Sequence, residues 1–215
     1  MADLTASCPG PLVGLSVEQS MNILLRAQAG DQAALDQLAS RYQERLLRIA
    51  RIRLGPEGNA LRRFVDSGDV VQETWKAALN GLRDLKVSGD TDLLNWLARI
   101  AANKIRDMVD HIHAQRRSVE REQAWAELPS SEPLDSSRGP QSRAANAELC
   151  EMIDSSLAEL DEDYREVIVL RDYCGTDWES IAARLGRANS HAAQQLHQRA
   201  WIKLRKKLGP RLGST

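Results

Sequence analysis

Between Asp31 and the pair Gly55-Pro56, the residues Leu35, Leu38, Tyr42, Leu46, Ile49 and Ile52 recur at steps of three and four. That spacing gathers them on one stripe of an α-helix but scatters them over both faces of a strand, so only a helix buries them together. Asp31 suits the helix start, where a carboxylate accepts from open N–H groups, and Gly55-Pro56 ends the run because proline cannot continue it. Two further stretches repeat the pattern. Val70, Val71, Thr74, Trp75, Ala78 and Leu79 form one apolar stripe behind a cap at Ser67 or Asp69, and Leu93, Leu94, Leu97, Ile100, Ala101, Ile105, Met108, Val109 and Ile112 form another. Aromatic residues are few (five Trp, three Tyr, one Phe in 215 residues), and β-branched ones are sparse beside Ala, Leu, Arg, Gln and Glu, so propensity points the same way. The expected fold class is all-α, and an all-β domain is excluded.

Two breaks divide the chain. Residues 1–16 hold Pro9, Gly10, Pro11 and Gly14 with no helical period, which reads as a mobile leader. Residues 126–145 read as a flexible linker, because Pro129, Pro133, Gly139, Pro140 and five serines within 128–144 cannot sustain a regular element. A short helical segment ending at Gly30, followed by the three helices above, makes a first domain over 17–125. In a second domain, 146–208, helices are marked by Leu149, Met152, Ile153, Leu157 and Leu160, by Tyr164, Val167, Ile168 and Leu170, by Ile181, Ala182 and Leu185, and by the stretch from Ser190 to Leu208. Residues 209–215 are a tail. The expected architecture is two small helical domains joined by a flexible linker.

The near balance of 29 basic and 30 acidic residues hides a segregation. Residues 146–179 carry 11 acids and 2 bases, net −9, whereas 180–215 carry 8 bases and no acid. An acidic layer behind a basic surface suits a polyanionic partner, and two faces of a bundle attracting each other account for the same pattern. Cys8, Cys150 and Cys174 are odd in number and lack a Cys-x-x-Cys spacing, which fits a reducing, cytoplasmic setting. Thr5-Ala6-Ser7-Cys8 lacks the basic start and apolar run of a lipoprotein signal, and no stretch approaches the roughly 20 apolar residues of a membrane helix. Neither a Gly-rich phosphate loop nor a nucleophile or paired-carboxylate constellation stands at motif spacing, so no enzyme and no cofactor is expected. His111 and His113 are two residues apart and share no helix face, so no metal site is expected.

Trp178-Glu-Ser-Ile-Ala-Ala-Arg-Leu-Gly186, followed by Arg187-Ala-Asn-Ser-His-Ala-Ala-Gln-Gln-Leu196, has the layout of a helix-turn-helix. Gly186 accepts the positive φ that the turn needs. With Ala192, Leu196, Ala200 and Leu204 facing inward, His191, Gln194, Gln195 and Gln198 are left outside, where polar groups can reach base edges in a major groove. Arg199, Lys203, Lys206 and Lys207 lie where phosphates could be neutralised. An ordinary helical hairpin with a solvated basic end shows the same pattern. On the helix around Trp75, the polar side of Gln72, Glu73 and Lys76 stays open to a partner.

Four segments now stand in order: Asp69-Val-Val-Gln-Glu-Thr-Trp75-Lys-Ala-Ala-Leu, Asn95-Trp-Leu-Ala-Arg-Ile-Ala-Ala-Asn103, Leu157-Ala-Glu-Leu-Asp-Glu-Asp-Tyr-Arg-Glu-Val-Ile-Val-Leu170, and the helix-turn-helix ending in Leu196-His-Gln-Arg-Ala. Over about residues 20–125 and 146–208 the chain resembles a bacterial RNA polymerase sigma factor of the sigma-70 family, in the small extracytoplasmic-function (ECF) group. The resemblance implies a non-enzymatic initiation subunit whose partners are core RNA polymerase, through its β′ clamp and β subunits, and promoter DNA, with an anti-sigma protein as an optional further partner. It implies core-polymerase binding by Val70, Gln72, Glu73 and Trp75, beside Lys76 on the same helix. Capture of an unstacked −10 base falls to the loop Leu85–Thr91, which holds Lys86 and Ser88, and −10 reading to Asn103, Lys104, Arg106 and Asp107. The helix-turn-helix, with His191, Gln194, Gln195, Gln198, Arg199 and Lys203, reads the −35 element. A polar loop beside a basic helix is also what a flipped, single-stranded base requires.

The chain departs from the family pattern at Ala192, where a β-branched residue is usual, and near Ala193 and Gln195, where Lys or Arg is usual. After the −10 helix the basic cluster is reduced to Arg116 and Arg117, with His111 and His113 nearby. Trp96, Trp178 and Trp201 are expected in the core, and Trp75 both in the core and at the interface. The alternative is a helix-turn-helix transcriptional regulator that acts independently of core polymerase, with 17–125 as a sensor or dimerisation domain.

Overall fold

The computed structural model describes residues 17–55, 62, 64–87, 89–122 and 144–212. The leader 1–16, Ser88, and all but the last two residues of the expected linker lie outside the described residues. Among the described residues every regular element is helical. In order they are α1 (Val17–Gln28), α2 (Gln32–Leu54), α3 (Ser67–Gly81), α4 (Asp90–Glu122), α5 (Ala144–Ala158), α6 (Glu162–Ile168), which continues as a π-helical turn over Val169–Tyr173, α7 (Trp178–Arg184) and α8 (Ser190–Leu212). Among these residues no helix is long and apolar enough to cross a membrane.

Local chemistry accounts for the boundaries. Asp31 caps α2 by accepting from the Ala34 N–H at 3.2 Å. Arg26 donates to the same carboxylate through Nε at 2.9 Å, and these bonds hold its carboxyl below the ordinary range. The helix ends where Gly55 turns to φ 91° ahead of Pro56. For α3 the cap is Asp66, not Ser67 or Asp69: its carboxylate accepts from the Gly68 N–H, and the two expected residues already lie inside the helix.

Helix α2 is the spine, packed against α1, α3, α4, α5 and the π turn. Leu38, Tyr42, Leu46, Ile49 and Ile52 are fully buried, as their spacing requires. In the last two turns Arg48, Ala50, Arg53 and Leu54 are buried as well, so the end of α2 is enclosed except along the side of Arg51. One apolar core runs from Leu24 in α1 to Leu208 in α8, through both halves of the chain. Leu79 departs from the expected stripe, with 50% of its surface exposed, because Val70, Val71, Thr74 and Ala78 already fill the inward side of α3.

Two arginines of α2 join the halves. Arg48 donates to Asp154 of α5 through Nε at 3.0 Å and Nη2 at 2.8 Å, and the Tyr173 hydroxyl donates to the same carboxylate at 3.0 Å. Arg53 donates to Glu166 of α6 at 2.7 and 2.9 Å, and its remaining nitrogen donates to the Ala98 carbonyl at 2.6 Å. These bidentate pairs satisfy groups that burial would otherwise penalise heavily. Burial pushes the Glu166 carboxyl up, but the charge and hydrogen bonds of Arg53 outweigh it and hold the group below its ordinary value.

The segregated charges of the sequence meet elsewhere, inside the second half. Lys203 reaches Asp161 at 2.9 Å, Lys207 reaches Glu159 at 3.1 Å, and Arg187 pairs with Asp163. The acidic stretch therefore neutralises one flank of the basic helix.

Replacing Glu166 by Gln removes the charge that compensates buried Arg53 while keeping one acceptor, so urea unfolding at pH 7 should become easier by about 2 kcal/mol. Since the native carboxyl titrates below its ordinary value of 4.5, its contribution is complete above that pH and lost as pH falls through the native value. The gap between wild type and Glu166→Gln should accordingly narrow below pH 4.5; a gap that widens there refutes the ion-pair account.

Candidate polymerase and nucleic-acid interfaces

Helix α3 presents the first surface. With Val70, Val71, Thr74 and Ala78 turned inward, Gln72 and Lys76 are exposed and Glu73 is half-buried, paired to Lys76 at 2.6 Å. Its hydrogen bond to Lys76 keeps the Glu73 carboxyl below the usual range. Val70, expected among the partner-binding residues, is fully buried and belongs to the core stripe, where it has no surface to offer. Trp75 is half-buried against the core, and its Nε1 is enclosed with no hydrogen-bond partner among the described residues.

The second surface joins the segment after α3 to the outer side of α4. Lys86 is exposed, and Ser88 lies outside the described residues. Gln28, at the end of α1, donates through its amide to the Leu82 carbonyl at 2.9 Å and to the Leu85 carbonyl at 2.8 Å. A single side chain thus pins the first half of the loop, which the sequence alone presents as freely polar. On α4, Asn103, Arg106 and Asp107 are exposed and Lys104 is half-buried. Arg106 donates to Asn103 at 3.3 Å, and Lys104 lies 3.8 Å from Asp107. The four form one polar stripe whose charges are already partly matched. His111 is exposed on the next turn, and the side chains of His113, Arg116 and Arg117 lie outside the described residues.

The third surface is α7, its turn and α8. Gly186 adopts φ 61°; the Arg187 N–H bonds the Ala182 carbonyl at 2.8 Å and the Gly186 N–H the Ala183 carbonyl at 3.4 Å, which closes α7 as a Schellman turn. Asn189 then caps α8 by accepting from the Ala192 N–H at 2.9 Å. The buried row of α8 is Ala193, Leu196, Ala200, Leu204 and Leu208. Ala192, expected inside, is half-buried instead, because the buried row includes Ala193 and its neighbour Ala192 points about 100° away around the helix.

This register decides what α8 presents. His191, Gln195, Gln198 and Arg199 are exposed, with His191 and Gln195 in contact at 3.0 Å, whereas Gln194 is half-buried at the margin. Lys203 lies on a flank, 4.4 Å over the Tyr164 ring and bonded to Asp161. Arg205, which the sequence reading did not single out, is exposed near Lys206 and Ile202; with the correct register its outward direction follows from its twelve-residue distance from Ala193. Trp178 and Trp201 are half-buried against the core, as is Trp96.

The two halves meet at these surfaces. A Cβ at Gly175 would lie 3.3 Å from Thr91, and the Thr176 hydroxyl contacts Asn95 in the first turns of α4.

A family model described as ECF sigma factor matches residues 18–208. The chain belongs to the ECF sigma factor family. It is 27% identical over 176 residues to the RNA polymerase sigma-H factor of Pseudomonas aeruginosa, covering 78% of this chain and 83% of that one. It is 30% identical over 162 residues to the ECF RNA polymerase sigma-E factor of Escherichia coli, covering 74% and 78%. Among solved structures it is similar to CnrH in complex with the cytosolic domain of CnrY, with a TM-score of 0.50 and 28% identity over 87% of this chain and 96% of that one. As an RNA polymerase sigma factor it works with core polymerase and promoter DNA, in agreement with the four segments read from the sequence.

The pinning by Gln28 gives a test within this sigma factor. Gln28→Ala releases two carbonyl acceptors at a cost of about 1–2 kcal/mol. Tryptic cleavage after Lys86, followed by mass spectrometry, should accelerate while helical circular dichroism is unchanged. An unaltered cleavage rate contradicts the clamp.

Proposed function

We propose that this sigma factor, a non-enzymatic initiation subunit acting in the cytoplasm, divides its work among the three surfaces. The outward side of α3, with Gln72, Glu73 and Lys76 beside Trp75, binds core polymerase. Lys86 and the α4 stripe of Asn103, Lys104, Arg106 and Asp107 meet the −10 element, with Ser88 beside them. The outward side of α8, with His191, Gln194, Gln195 and Gln198, reads the −35 element, and Arg199, Arg205 and Lys206 meet phosphates. The observation that carries this reading is the family match across residues 18–208, which takes in all three surfaces. Changing Gln72 and Glu73 together to Ala should weaken core-polymerase binding about tenfold without changing the melting temperature. Unchanged affinity in the folded double variant overturns the α3 assignment, and a wild type that binds duplex DNA but captures no core polymerase favours an independent regulator.

Residues 17–125 and 146–208 serve as the two DNA-binding units, with 126–145 as their tether. Elements centred about 25 base pairs apart lie about 85 Å apart along B-DNA. Thr176 contacts Asn95 in the packed state, so one copy reads both elements only after its halves separate. A tether of about 20 residues reaches up to about 65 Å, and the widths of the two units cover the remainder. Cys174 reports the change, because it lies buried beside Arg53 and Glu166, and burial pushes its thiol up to about 11. Alkylation of Cys174, mapped by mass spectrometry, should be slow in the free protein and at least tenfold faster on core polymerase. Equal rates in the two states refute separation.

A further inference from the structure

We propose that Asp172, in the π turn, is a positioning residue for promoter reading: it sets the roll of α8 about its own axis, and with it which side chains meet the −35 element. The inference rests on α8 being the −35 reader. One oxygen of Asp172 lies 2.8 Å from His197 Nε2 and accepts from Trp201 Nε1 at 3.0 Å. A carboxylate oxygen only accepts, so the His197 tautomer that bears its proton on Nε2 donates to Asp172, and the Trp201 Nε1–H, which lies 3.1 Å from that nitrogen, is then given to the same carboxylate oxygen. His197 and Trp201 stand one turn apart on α8, beside the buried row. The other wall of this cluster is α7, whose Trp178 meets the His197 ring edge-on at 5.3 Å between centroids. Arg171, next to Asp172 in the turn, lies 4.5 Å over the Trp178 ring and donates to the Thr176 carbonyl at 3.0 Å. Consecutive residues of one turn therefore hold the two helices of the helix-turn-helix.

The opposite flank of α8 is held more loosely. Lys203 and Asp161 are 51% and 72% exposed, and such pairs contribute about 0–1 kcal/mol. The Asp172 and His197 side chains are 18% and 17% exposed, so water screens their bond far less. Beneath them the row that seats α8 includes Ala193 and Ala200, whose short side chains offer little relief against rolling. A roll of about 10° moves a side-chain tip about 6 Å from the axis by about 1 Å. That displacement is enough to break a paired contact with a base edge.

The test uses the full chain assembled with core polymerase. Its probes are the strongest promoter fragment that the wild-type holoenzyme transcribes from a genomic run-off library, and the same fragment with its upstream element scrambled. Asp172→Ala should lower the ratio of intact to scrambled transcription about tenfold, leaving scrambled-fragment transcription and core affinity unchanged. His197→Ala should do the same, and the double variant no worse, because both act through one contact. His197→Gln, which retains a nitrogen donor, should restore the ratio to within about twofold, a rescue that a purely packing role does not give. Wild-type discrimination in folded Asp172→Ala, or equal losses in His197→Ala and His197→Gln, overturns the proposal. If Asp172→Ala does not fold, the two His197 variants decide alone. A wild-type holoenzyme that transcribes no fragment overturns the sigma reading and this proposal together, whereas discrimination retained by the variants overturns this proposal only.

Discussion

Two guanidinium groups at the buried end of α2 constrain how the rest of the chain assembles. A surface arginine costs nothing to leave alone, but Arg48 and Arg53 are enclosed, and an enclosed cation must find carboxylates in the right geometry. Asp154 of α5 and Glu166 of α6 supply it, each by two parallel hydrogen bonds. Apolar faces alone tolerate sliding, whereas a planar fork facing a carboxylate admits one orientation. The two pairs, roughly one and a half turns apart on α2, fix both the position and the direction of the second half. Removing either partner leaves an enclosed charge uncompensated, so the pairs select this arrangement of the halves over others. A packed state so held is definite in geometry yet within reach of the binding energy of a large partner.

The same accounting changes the meaning of the basic C-terminal segment. Its eight positive charges invite the view that the whole of α8 is an electrostatic surface for DNA. Instead, Lys203 and Lys207 face the acidic side of their own domain, while Gln195, Gln198, Arg199, Ile202, Arg205 and Lys206 face outward. The acidic stretch is thus a counter-surface that holds one flank of α8, and the outward polar face keeps fewer charges than the segment total suggests. Non-specific attraction to phosphate is correspondingly restrained, which favours a protein that approaches promoters through polymerase rather than alone.

Much of this was legible before any coordinates. The stripe from Leu38 to Ile52, the cap at Asp31, the stop at Gly55 and the turn at Gly186 depend on neighbours within a few residues, and local spacing suffices to read them. The departures from expectation also have local causes. Three capping residues follow one another at the start of α3, so spacing alone does not single out Asp66, and at the start of α8 the adjacent alanines Ala192 and Ala193 leave the inward position undecided until the register is known. For Val70 the family resemblance implies a partner role while its own stripe implies the core, and in this structure it is buried. What could not be read is long-range. Arg48 and Arg53 look like ordinary polar positions of an amphipathic helix until α5 and α6 arrive, more than 100 residues later. The Gln28 clamp and the bond from Asp172 to His197 likewise join residues whose sequence neighbours give no sign of the contact.

The π turn is where these long-range requirements converge. Val167, Ile168, Val169 and Leu170 are all buried, because this stretch is enclosed by α2 on one side and by α7 and α8 on the other. The polar residues that follow are then distributed by direction. Arg171 supports α7 through Trp178, Asp172 holds α8 through His197 and Trp201, and Tyr173 turns to the Arg48–Asp154 pair. Only the last of these crosses to the first half of the chain. Tyr173 is also held by Asp154 within its own half, and the bonds of Arg171 and Asp172 involve no residue of the first half. The helix-turn-helix therefore carries its own internal bracing, set by contacts that lie wholly within the second half of the chain.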